Sequence, residues 1–139
     1  MGPNLLGYEE MTLEALLRQT NRNMAIFDLA LGSAAIAAPS ETLRVLGHDE
    51  PSPEAAHLFR RCGPIWLTFA AAHTVAARRG ESQDWWALAW LRATELMTDV
   101  VWSRSPAFRH QRSRAVLVGA GIGNLAMATG FAWRSRRGE

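Results

Sequence analysis

The chain has no lysine: all fifteen of its basic residues are arginine. It has one cysteine, Cys62, which excludes an intrachain disulfide framework and leaves no cysteine-based metal site. No histidine stands beside Cys62 in a catalytic pattern, so it reads as a small buried residue rather than a nucleophile. No Glu-x-x-His pair and no other His/Asp/Glu spacing suits a zinc or di-iron site, so no metal is expected. No serine sits in a Gly-x-Ser-x-Gly elbow, which removes support for Ser/His/Asp catalysis. Met1–Asn23 lacks a continuous apolar core and carries Glu9, Glu10, Glu14, Arg18 and Arg22, so no cleavable signal peptide is expected. The net charge of +2 is small and its arginines fall in short groups beside apolar segments. A nucleic-acid binder would want one basic face with stacking aromatics, so no nucleic-acid partner is expected.

At 139 residues the chain is long enough for one four-helix domain and too short for two cores. Apolar segments alternate with short polar links, and nothing reads as a set of strands. The pattern predicts an all-α, four-helix bundle with helices near 12–38, 53–79, 83–102 and 106–134. Thr12 is the expected N-cap of the first helix, and Pro39 its stop. Leu43, Val45 and Leu46 suit a short interfacial turn in the link that follows. Ser52-Pro53-Glu54 is a cap, an N1 proline and an acid at the positive helix end. Gly63-Pro64 predicts a kink or break in the second helix, and Ser105-Pro106 a start for the fourth.

The last apolar stretch, Ala115–Trp133, runs about nineteen residues without a charge, enough for a helix to cross a hydrocarbon core roughly 30 Å thick. Arginines flank both ends, and Trp133 stands where an interfacial anchor belongs. Gly119-Ala-Gly121-Ile-Gly123-Asn124 imitates a dinucleotide-binding turn. Asn124 replaces the third glycine, however, and too little chain follows for the second strand and its acidic residue. Gly119 and Gly123, extended by Ala126 and Gly130, instead make a small-residue face for helix packing, with Asn124 hydrogen-bonding to a neighbouring helix.

The first and fourth segments look membrane-spanning on apolar content, whereas the third carries Arg92, Glu95 and Asp99. Trp85 and Trp86 stand about 25 Å from Trp102 along a helix, close to one bilayer thickness. Mean hydropathy is −0.08, a value a soluble Ala-rich bundle would also have. Arginines are balanced between the two sets of links, so the positive-inside rule assigns no orientation.

Leu31-Gly32, Ala37-Ala38-Pro39, Leu43-Arg44-Val45-Leu46-Gly47, Phe59-Arg60-Arg61-Cys62-Gly63 and Ala76-Ala77-Arg78-Arg79 carry a family likeness. Over residues 20–100 the chain resembles the small bacterial four-helix membrane proteins of the DoxX-like and related uncharacterised groups. The resemblance implies four membrane helices and usually no established reaction.

Arg92, Glu95 and Asp99, spaced i, i+3 and i+7, share one helix face, and Asp28 could join them with Arg22 as a further partner. Such a face suits an internal salt-bridge network that fixes helix register. The alternative is an intramembrane isomerase or cyclase acting on a lipophilic small molecule. It would use Asp28, Glu95 and Asp99 as acid/base groups and Arg92 to hold the substrate. His73 lies among small residues that would admit a flat macrocycle, which makes it the one candidate axial ligand for a haem or chlorophyll; no cofactor is the preferred expectation. His48 and His110 fall in links and are expected to face solvent. The preferred expectation is a multi-pass protein of the cytoplasmic (inner) membrane. It would be a structural or accessory subunit, not an enzyme, whose partners are the lipid bilayer and a larger membrane complex or further copies of itself.

Overall fold

A computed structural model describes residues 5–48, 50–106 and 108–137, with side chains from Leu13 onward. Among these residues the chain is all-helical, with α1 Leu5–Ala37, α2 Pro39–Val45, α3 Pro53–Arg79, α4 Ser82–Trp102 and α5 Gln111–Arg136. Four helices are long, and α2 is the short element after Pro39 where a turn was expected. Asp49, in the link that follows, lies outside the described residues.

Local chemistry accounts for most of the boundaries. Ser52 Oγ accepts from the Ala55 N–H at 3.2 Å, Pro53 fills a position whose N–H would be unpaired, and Glu54 meets the positive helix end. Gly80, at φ 70°, closes α3 in a left-handed cap, its N–H bonded to the Ala76 carbonyl. Pro39 opens α2 directly after Ala38, so the stop of one helix is the N1 position of the next.

Two expected boundaries move. α1 begins at Leu5, so Thr12 lies inside the helix rather than capping it. α3 runs as one helix through Pro64, over the bounds the pattern predicts, and Pro64 itself is exposed. α5 begins at Gln111 and not at Pro106. There the Ser105 carbonyl accepts from the Phe108 N–H at 3.2 Å in a single turn. Phe108 is buried against Trp102 and the edge of His48, and that docking holds the segment as a link. His48 is therefore half-buried, while His110 is exposed as expected. The glycine-rich run Gly119–Gly123 is helical throughout, so no nucleotide-binding turn forms there.

The long helices run up and down in two pairs, α1 along α3 and α4 along α5, with thinner packing between the pairs. Two apolar cores sit at opposite ends. Leu17, Ala76, Trp85, Leu88, Ala89 and Phe131 form one; Ala35, Leu43 and Phe59, with Trp66 and Trp102 against them, form the other. Trp85 is thus a core residue rather than an interfacial anchor. The outer surface is unusually apolar. Ile26, Phe27, Leu58, Ile65, Trp90, Met97, Val116 and Ile122 are each more than half exposed. Among the described residues only α5 is long and apolar enough by itself to cross a membrane, and just 22% of its apolar stretch is buried. α1 does not qualify, although its apolar content suggested it would: Asp28 interrupts it and Pro39 ends it early.

Candidate functional site

Between the two apolar cores lies a cluster of four polar side chains: Asn21 and Asp28 of α1, His73 of α3 and Arg92 of α4. None is more than 2% exposed. Asn21 and Asp28 are seven residues apart, two helical turns, and so project from one face of α1. Antiparallel packing brings that face to His73, and α4 delivers Arg92 from the other helix pair.

The hydrogen bonds fix the protonation pattern. Asn21 Nδ2 donates to the His73 carbonyl at 3.0 Å, which turns Asn21 Oδ1, an acceptor only, toward His73 Nδ1 at 2.5 Å. The ring proton therefore sits on Nδ1. Nε2 is left as an acceptor, and it faces Arg92 Nε at 3.2 Å and Nη2 at 2.6 Å. Arg92 Nη2 also donates to Asp28 Oδ2, and its guanidinium lies over the Phe69 ring at 5.9 Å. The pattern is a chain: amide, neutral imidazole, guanidinium, carboxylate. Asp28 Oδ1 is buried and has no partner among the described residues.

The four charged residues expected to act together therefore divide. Asp28 and Arg92 pair within the cluster, joined by His73 and Asn21. Arg22 takes no part; it is exposed, and Asn21 rather than Arg22 shares the inward face with Asp28. Glu95, further along α4, is half-buried beside Trp66. Asp99 Oδ2 accepts from Asn124 Nδ2 at 2.8 Å, a bond that ties α4 to α5, and Asn124 Oδ1 is buried without a partner among the described residues. Sequence reasoning missed Asn21. Its i, i+7 relation to Asp28 was the available signal.

Both ring nitrogens of His73 are engaged and the ring is fully enclosed, with Phe131 packed edge-on at 6.0 Å. An axial-ligand role at Nε2 would require Arg92 to leave. No group of three or more His, Cys, Asp or Glu side chains is placed to hold a metal among the described residues. Cys62 is half-buried, its Sγ 3.8 Å from the Leu58 carbonyl.

The glycines sort by function. A Cβ on Gly32 would stand 2.8 Å from the Gly63 carbonyl oxygen, and a Cβ on Gly63 2.8 Å from that of Gly32, so α1 and α3 cross backbone to backbone. Gly130 meets Leu17 at 2.6 Å on the same test. Among the described residues a Cβ on Gly119 or Gly123 would meet nothing within 4 Å.

These features define a helical bundle with a small polar cluster enclosed between two apolar cores and many large apolar side chains exposed. Comparison with family models, with curated proteins and with solved structures gives no match to this chain.

Proposed function

We propose that the chain is a four-helix integral membrane protein of the DoxX-like kind, acting as a structural or accessory subunit of a membrane complex. In it the buried cluster locks the α1–α3 pair to the α4–α5 pair. The observation that carries this is the inverted distribution of polarity. The outward stretches are uncharged from Arg22 to Glu41, Arg61 to Arg78, Asp84 to Arg104 and Arg114 to Arg134. At helical rise the stretches of α3, α4 and α5 are roughly 25–30 Å, the thickness of a hydrocarbon core, whereas α1 ends at Ala37 and supplies about 22 Å. The charged residues that fall inside them, Asp28, Arg92, Glu95 and Asp99, are buried or half-buried. A charge facing lipid costs about 3 kcal/mol or more, a reason for these side chains to turn away from it. The cluster suits a lock better than a reaction centre, because Arg92 and His73 are each committed to two partners.

The first experiment is fractionation of the expressed protein followed by an alkaline carbonate wash of the membranes. Retention in the washed pellet is expected; full recovery in the soluble fraction would overturn the membrane placement.

The outer face of α5 supports the accessory role. Gly119 and Gly123 leave its backbone open over about one helix turn on a side with no neighbour within 4 Å among the described residues, the geometry by which membrane helices pack closely. The partner would be a larger complex or a second copy. Gly119→Leu with Gly123→Leu should leave the detergent-solubilised monomer folded and abolish its co-purification with partner or copy. Assembly that survives both changes would remove this face from the proposal.

A further inference from the structure

At the end of the bundle where α1 and α4 enter and α3 and α5 leave the apolar band, a cavity of about 270 Å³ opens among five arginines. Arg18 and Arg22 come from α1, Arg78 and Arg79 from α3, and Arg134 from α5. Trp85 lines it too.

The carboxylates nearby do not balance this charge. Glu14 serves both Arg18, at 2.5 Å, and Arg134, at 3.2 Å. Arg79 is held by Glu81, its Nε 3.1 Å from Oε1, and more distantly by Asp84 at 3.5 Å. The Arg18 hydrogen bond holds the Glu14 carboxyl below the usual carboxylate range, and Arg79 does the same for Glu81, so both acids count as charged. Arg22 and Arg78 have no carboxylate partner among the described residues, which leaves the cavity with an excess of two positive charges.

Two buried donors point the same way. The Trp85 indole Nε1 is buried, in a side chain 2% exposed, and finds no acceptor among the described residues. Arg134 Nε is also buried without one, and its guanidinium lies over the Trp85 ring at 5.4 Å. A buried donor without an acceptor is destabilising, and an arriving acceptor would relieve both. Arginine at helix C-termini also complements the macrodipole, which accounts for Arg78 and Arg134. It accounts neither for Arg22, in the middle of α1, nor for the two orphaned N–H groups.

We infer that this cavity is a binding site for a phosphate group, held by Arg22 and Arg78 at its mouth with Trp85 Nε1 and Arg134 Nε donating to its oxygens. Arginine forks match phosphate oxygens, and a phosphate supplies several acceptors at once. The volume admits a phosphate with its substituent and not a pair of acyl chains. The cavity lies at the edge of the uncharged outward stretches, the level of lipid headgroups. The site itself does not depend on the membrane proposal; the assignment of its phosphate to a lipid does.

The test uses the full chain in a neutral, phosphate-free detergent, with thermal stability as the readout. Phosphatidylglycerol, phosphatidylcholine and inorganic phosphate are titrated separately. Phosphatidylglycerol should stabilise the protein more strongly than phosphatidylcholine, whose choline cation would face the arginines. The exposed pair R22Q/R78Q should weaken the apparent affinity about tenfold or more, whereas R60Q/R61Q, at the other end of α3, should leave it unchanged. Monodisperse elution checks that the variants fold. Should the double variant not fold, R22Q alone is expected to weaken binding severalfold. Stabilisation by phosphatidylglycerol and not by inorganic phosphate assigns the site to a headgroup. Stabilisation by inorganic phosphate as well, lost in R22Q/R78Q, supports the site as one open to soluble phosphate. Inorganic phosphate that binds in this way to a protein washed off membranes by carbonate keeps the site while its lipid source falls. No stabilisation by either anionic probe, or stabilisation that R22Q/R78Q leaves intact, overturns the proposal.

Discussion

Asp28→Leu is expected to destabilise the folded protein by about 3–5 kcal/mol, the largest effect of any single change outside the apolar cores. The substitution leaves the Arg92 guanidinium buried with only the neutral Nε2 of His73 to accept from it. The cost lies in the stranded charge rather than in the lost bond, since a single hydrogen bond is worth only about 1 kcal/mol net. Removing both charges therefore separates the two contributions. Asp28→Leu with Arg92→Leu should recover most of the loss, because two apolar side chains then meet in a water-poor interior. Asp28→Asn should fall between, its side-chain oxygen still accepting from Arg92. Thermal unfolding of the three variants in one mild detergent measures the coupling. A single variant within about 1 kcal/mol of the parent would show that the cluster does not hold the two helix pairs together. An enzyme using Asp28 as acid or base would give the opposite signature, with turnover lost in Asp28→Asn and the fold intact.

Where the chain signals its structure locally, the sequence was a sound guide. Ser52-Pro53-Glu54 and Arg79-Gly80 bound α3 where caps and a left-handed glycine require them. The inward face Arg92-Glu95-Asp99 was legible from spacing alone, and so was the polar reach of Asn124. What failed depended on contacts between distant segments. Ser105-Pro106 carries a valid helix-start signal, but the docking of Phe108 against Trp102 and His48 outweighs it. His73 and Asn21 are fifty-two residues apart, and no local pattern announces that one will set the tautomer of the other. The glycines mislead most. Gly119 and Gly123 have a recognisable spacing and an open face, while Gly32 and Gly63 have no motif between them and make the intrachain crossing.

That contrast predicts opposite signs for one substitution. An alanine replacing glycine inside a helix ordinarily stabilises by about 0.5–1 kcal/mol, because the unfolded chain loses freedom. At Gly119 a Cβ meets nothing within 4 Å, so Gly119→Ala should show that gain in a monomeric preparation. At Gly63 the new methyl would stand 2.8 Å from the Gly32 carbonyl oxygen and closer still to Ile36 Cγ1. Ile36 can turn away, but the carbonyl is backbone and yields only if the helices separate. Overpacking of this kind costs about 1–3 kcal/mol, which exceeds the propensity gain, so Gly63→Ala should destabilise. Separation would also draw α1 from α3 along the face that carries Asn21, stretching its 2.5 Å contact with His73 Nδ1. Gly63→Ala should therefore weaken the coupling measured between Asp28 and Arg92, although it touches neither residue. Equal stabilisation by the two alanines would mean that α1 and α3 do not cross at these glycines, and the register that aligns Asn21, Asp28 and His73 would lose its mechanical basis.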